Sequence, residues 1–298
     1  MLPPLAAALA PLIVCPAALR AAEGIVAPGA TVELLAGGFA FTEGPAADAQ
    51  GDVYFTDQPS DRILKWSTDG KLSTFMESCG RSNGLCFDAD GNLWACADEQ
   101  NQLWRIAPDG TVTVAVRDYA GKLLNGPNDV WVAPDGGVYF SDPLYQRDYW
   151  DRGPMEQDGE CVYYLPPEGG ALRRVAEGLT KPNGLIGTPD GKLLYVADIG
   201  AGKTCRYSIE ADGSLSDRQQ FCEMGSDGMT LDSEGNVYLT GQGVTVFAPS
   251  GDQIAQIAVP EPWTANVCFG GADRQTLLIT AGQGLYGLRM RVHGAGSQ

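Results

Sequence analysis

Short apolar runs recur along the chain, each opened by a turn residue and a glycine. They read AQGDVYFTD (49–57), ADGNLWACAD (89–98), PDGGVYFSD (134–142), PDGKLLYVAD (189–198) and SEGNVYLTG (233–241), with ADRQTLLITA (272–281) as a degenerate sixth copy. The marker glycines Gly51, Gly91, Gly136, Gly191 and Gly235 are spaced by 40, 45, 55 and 44 residues. That period is the length of a propeller blade made of four short strands.

Each copy repeats one internal order. A short apolar strand such as DVWVAP (129–134) leads into the turn, and a second strand such as LWACA (93–97) leaves it. A third strand alternates apolar and polar residues, as in RILKWS (62–67) and QLWRIA (102–107), and a further turn leads to an outer strand such as TVTVAV (111–116). Alternation with period two and turn residues at fixed offsets predict antiparallel strands. The last copy ends in LYGLRMRV (285–292) with no outer strand, and TVELLA (31–36) stands before the first copy with no partner. Pairing these two hides both open edges. The predicted fold is therefore all-β: a six-bladed β-propeller of four-stranded antiparallel blades, its ring closed by an N-terminal strand.

Eight residues before the turn markers stand Glu43, Asn83, Asn128, Asn183 and Asp227, and eight before Arg274 stands Asn266. All six are carboxylates or carboxamides, and each precedes the innermost strand of its blade. A single Asn-Gly is explained by turn preference alone. Six in register predict a shared site at one end of the axis. Two carboxylates and four amides, with no imidazole or thiolate, suit one hard divalent cation, Ca²⁺ ahead of Mg²⁺, Mn²⁺ or Zn²⁺. Asp57, Asp98, Asp142 and Asp198 end the second strands on the same face. They are expected to hydrogen-bond their own loops, with shaping of the entrance as the alternative. The segment 143–160 is longer than its counterparts and carries Tyr145, Tyr149 and Trp150. It is expected to wall the site or to pack on the rim.

Composition narrows the partners. The formal net charge of −17 opposes nucleic acid and anionic membranes. Residues 1–22 resemble a secretory signal peptide with cleavage near Ala22, followed by a single domain over 23–298. Export to the periplasm or medium follows if that leader is real, and a cytoplasmic protein if it is not. No other stretch is apolar enough to span a bilayer. Eight cysteines are scattered without a CxxC pair, which argues against a zinc knuckle or a redox motif. The only histidine, His293, lies near the C-terminus, so a Ser-His-Asp or Cys-His mechanism has no good candidate.

The pieces FTEGP (41–45), LNGPND (124–129), KPNGL (181–185) and SDGM (226–229), in this order and spacing, resemble the gluconolactonase/regucalcin (senescence marker protein) family. RSNGLCFDADGNLWACADE (81–99) and EPWTANVCFGG (261–271) look like its bacterial gluconolactonase branch. The resemblance implies a catalytic divalent cation held by Glu43, Asn128, Asn183 and Asp227, with Asp227 as general base in hydrolysis of a sugar lactone. It leaves Asn83 and Asn266 to face substrate or to hold the ligands. Where the animal branch places a sugar-binding Arg, two residues before a ligand Asn, this chain has Gly126. Arg81 is the expected substitute, with Tyr145 and Trp150 as further substrate contacts. The alternatives are a related propeller hydrolase acting on other lactones or phosphotriesters, a non-enzymatic calcium-binding propeller, and a quinone-dependent oxidoreductase. The last lacks basic or histidine residues for its cofactor.

Overall fold

The computed structural model describes residues 24–147 and 152–296. The expected leader at 1–22 and the expected contact Trp150 lie outside these residues. Six four-stranded antiparallel sheets form the blades. Blade one comprises Thr42–Ala47, Val53–Asp57, Arg62–Trp66 and Leu72–Glu77, and the next four blades repeat this meander in sequence order. Blade six takes three strands from the C-terminal end, Thr264–Gly270, Thr276–Ala281 and Gly284–Arg289, and its outermost strand, Glu33–Gly37, from the N-terminal end. The expected ring closure is thus present, with Glu33 opposite Gly287 and Leu34 opposite Tyr286. Among the described residues no helix is long and apolar enough to cross a membrane.

Strand alternation explains why the blades stack. In the second strand of blade one, Val53 and Phe55 face blade six, while Tyr54 faces blade two. In blade two, Leu93 and Ala95 face blade one, while Trp94 and Cys96 face blade three. Both faces of an inner strand are therefore buried, and one apolar cluster fills each of the six blade interfaces. The seven described cysteines are free, and six are buried. They act as small hydrophobic side chains in these interfaces.

Glycines at the axis serve close approach. Gly44, Gly84, Gly184 and Gly228 each follow a ring residue. A Cβ on Gly44 would lie 2.1 Å from the Asn83 carbonyl oxygen, and one on Gly184 2.6 Å from that of Asp227. Neighbouring blades are tied at the same level, by Gly84 N to Asn128 O (2.7 Å) and by Gly228 N to Ala265 O (2.8 Å). The Glu-Gly, Asn-Gly and Asp-Gly pairs thus mark where blades touch at the axis, which is a tighter demand than a turn makes.

Candidate active site and metal centre

The backbone ties between blades fix which residues are equivalent. Gly84 donates to Asn128 O, and Gly228 donates to Ala265 O. The Thr56 hydroxyl donates to Asn83 O, and the Thr240 hydroxyl to Ala265 O. The ring position is therefore held by Glu43, Asn83, Asn128, Asn183, Asp227 and, in blade six, Ala265. Asn266 stands one residue further on, level with Asp129. The cause is hairpin length: Val130 precedes its turn marker Gly136 by six residues, whereas its counterpart Val267 precedes Arg274 by seven. The Asn266 side chain accepts the N–H of Val267 (2.8 Å) and packs against Gly228. It also lines a cavity of about 1130 Å³ at the opposite end of the channel, which none of the five polar ring residues lines. The expected membership of Asn266 in the ring is thus corrected.

The five polar ring residues differ in what they are free to do. Glu43 is 3% exposed and accepts the N–H of Gly44 (3.1 Å). Burial, and then the charge of Asp227, push its carboxyl well above the usual carboxylate range. The partly exposed Asp227 is likewise raised by burial. It accepts the Asn183 amide at Oδ1 (2.8 Å) and the Trp263 indole at Oδ2 (2.6 Å). Asn183 gives its other amide hydrogen to the Tyr145 hydroxyl (2.8 Å), so Oδ1 is the atom it has left to offer. Asn128 is buried, and no hydrogen bond engages its side chain among the described residues. Asn83 is buried with its Nδ2 unpartnered.

This donor set fits a hard divalent cation. A buried and a half-buried carboxylate that oppose each other's ionisation, plus amide oxygens not otherwise committed, are costly until a cation balances them. Asp129 adds no donor. Its carboxylate accepts the N–H groups of Val130 (3.0 Å) and Leu185 (3.1 Å), and burial pushes it up to about 7.

The wall around the ring departs from expectation at Arg81. Arg81 does not turn toward the ring residues. Its Nε donates to Glu99 (3.0 Å), its guanidinium reaches the Pro59 carbonyl, and its own N–H is taken by Asp61 (2.7 Å). These partners hold Arg81 on the rim. The long segment 143–160 does both things expected of it. It packs on the rim through Arg152, whose guanidinium bonds Asp98 (2.7 Å) and Asn125 O (2.6 Å), and through Gln157, which donates to three carbonyls. It also reaches the site through Tyr145.

The strand-ending aspartates act as loop clamps in three blades. Asp57 accepts the N–H groups of Ala40 and Phe41, Asp142 those of Asn125 and Gly126, and Asp198 those of Thr180 and Lys181. Each clamps the residues three and two before its ring position. In blade two Asp61 bonds Arg81 instead, and Asp98 is left to pair with Arg152 and Gln58.

Two residues at the site were not anticipated, Trp263 and Arg147. Trp263 sits two before the true ring position of blade six, so the one-residue offset that misplaced Asn266 also hid it. Arg147 stacks over Tyr145, 4.8 Å from the ring centroid, and its charge reaches Glu43, Asp227 and Asp98. It lies in the one long insertion, where the repeat gives no register.

Residues 41–283 match the family described as the SMP-30/Gluconolactonase/LRE-like region. The chain belongs to this family. A gluconolactonase of Zymomonas mobilis is 29% identical over 91% of this chain and 85% of its own length. A pentonolactonase of Haloferax volcanii is 25% identical over 78% of each. Among solved structures, a gluconolactonase of Xanthomonas campestris shares 33% identity with a TM-score of 0.84, covering 92% of this chain and 93% of that one. A calcium-binding regucalcin of Agrobacterium tumefaciens shares the fold at 19% identity, with a TM-score of 0.74 over 88% of this chain and 94% of its own. In this SMP-30/gluconolactonase chain, the family segment runs from just before Glu43 to just beyond the second strand of blade six.

Proposed function

We propose that this chain hydrolyses a sugar lactone to its aldonic acid. Family membership supports the reaction class, and one observation carries the site: buried Glu43 and partly exposed Asp227 stand in one ring with the amides of Asn128 and Asn183. Those four residues would hold one divalent cation, and calcium suits an all-oxygen set. When bound, the cation supplies Lewis-acid polarisation of the lactone carbonyl and a lowered pKa for water.

The remaining work belongs to the chain. Water oxygen attacks the carbonyl carbon while Asp227 accepts its proton. The bond from that carbon to the ring oxygen then breaks, and the ring oxygen takes the proton held by Asp227 to become a hydroxyl, which returns Asp227 to its ionised form. Trp263 and Asn183 each donate to one oxygen of Asp227, which fixes the carboxylate plane and favours its ionised form. The Tyr145 hydroxyl would meet sugar oxygens, and the buried, unpartnered Nδ2 of Asn83 would hold the floor beneath them.

The test is a pH-stat assay with gluconolactone on wild type and Asp227→Ala, each with and without chelator. Wild type should lose activity on chelation and regain it with calcium. Asp227→Ala should fall by a factor of about 10² or more, the scale of a lost general base. Equal rates in all four conditions would sink the proposal.

A further inference from the structure

Arg147 stands at the site mouth, stacked on Tyr145. Arg62 pairs with Asp57, Arg81 with Glu99, Arg152 with Asp98 and Arg174 with Asp158. Arg147 has no carboxylate within ion-pair distance among the described residues, and its Nε is buried without a hydrogen-bond partner. Its contact is the face of Tyr145. On the same ring sits Lys181, 4.7 Å from the centroid, but that ammonium is engaged by the Leu144 carbonyl (2.9 Å) and lies 3.7 Å from Glu160.

Tyr145 sets the distance from this guanidinium to the chemistry. Its hydroxyl takes a hydrogen from Asn183, so Arg147 stands about one aromatic ring away from the ring of oxygen donors. Of the carboxylates its charge reaches, Asp98 is already paired with Arg152, and Glu43 and Asp227 offset Arg147 only while no metal is bound. A divalent cation would balance those carboxylates and leave the guanidinium uncompensated in a partly dry site, a state that a bound anion relieves.

We propose that Arg147 is a specificity-determining residue that reads an anionic substituent on the substrate, so that the preferred lactone carries a carboxylate or similar anion remote from its ring ester. This inference rests on the lactonase reading of the site. An Arg is suited to the task because its planar fork matches a carboxylate and stays charged at any working pH. The stacking on Tyr145 presents the fork without the entropy cost of a free side chain.

A matched pair of substrates tests it. D-Glucaro-1,4-lactone and D-glucono-1,4-lactone differ only in bearing a carboxylate or a hydroxymethyl group at the far carbon. In wild type, kcat/KM should favour the glucarolactone by about tenfold or more, the scale of one charge-assisted hydrogen bond. Arg147→Met should abolish that ratio, chiefly through KM, and Arg147→Lys should restore part of it. A ratio unchanged by Arg147→Met, or a wild-type preference for the neutral lactone, overturns the proposal. If neither lactone is hydrolysed, it is the lactonase reading that fails. Calorimetric titration with glucarate and gluconate then decides separately. Glucarate should bind wild type about tenfold or more tightly than gluconate, and Arg147→Met should remove the difference; equal discrimination by both proteins counts against Arg147.

Discussion

At the scale of single residues, the least expected contact is the Trp263 indole on Asp227. The indole is 37% exposed, yet its N–H makes a 2.6 Å bond to a carboxylate that burial raises. That bond favours the ionised form, so removing it raises the Asp227 pKa further. A base works only when ionised, so a raised pKa moves the acidic limb of the rate profile to higher pH. Trp263→Phe should shift the acidic limb of kcat/KM upward by about one unit, from a hydrogen bond to charge worth roughly 1.5–3 kcal/mol. A profile that falls in height without moving would assign Trp263 to packing alone. Glu43, Asn83, Asn128, Asn183 and Asp227 were legible in the sequence because a fixed offset from the turn glycine is a physical constraint: strand and hairpin lengths set it. Where the hairpin gained a residue, in blade six, the offset failed by that residue. Arg147 was not legible, because an insertion has no repeat to measure it against.

At the scale of elements, each innermost strand has two dry faces and one end at the ring. The faces tolerate volume-conserving exchange, but the axis does not, since backbone meets backbone there. Gly44 is the strictest case, with a left-handed φ of 45° and the Asn83 carbonyl where a Cβ would go. Gly44→Ala should cost more than about 2 kcal/mol, measured by denaturant unfolding with unchanged m. An effect below 0.5 kcal/mol, on the scale of a surface change, would mean the blades can part at the axis without strain. The sequence carried this constraint openly as Glu-Gly, Asn-Gly and Asp-Gly. It suggested turns, because the distance between blades is a tertiary quantity. The aspartates that end the second strands were easier to read. Three of them clamp their loops as expected, and Asp98 departs because Arg152, 54 residues later, competes for it.

At the scale of the whole molecule, the first and last strands close one ring. Leu35 and Ala36 of the N-terminal strand pack against the cluster between blades six and one. Deleting residues 24–37 removes that cover and exposes the edge of Gly284–Arg289 to other chains. The truncated protein should melt lower by about 10 °C or more and should self-associate, as read by calorimetry and light scattering. An unchanged melt would show that blade six is complete without it. The count of blades, their period and this closure were all legible, since each rests on local alternation and turn spacing. Ala265 gives the ring a property its sixfold frame lacks. Blade six lies between blades five and one, so this buried methyl separates Asp227 from Glu43. The remaining three blades carry amides only. The frame therefore has a compass bearing: both charges flank one apolar corner, with neutral donors opposite. A flat, chiral substrate laid on such a frame meets a different neighbour at every turn about the axis, so the near-symmetrical scaffold can still tell one face of a sugar ring from the other.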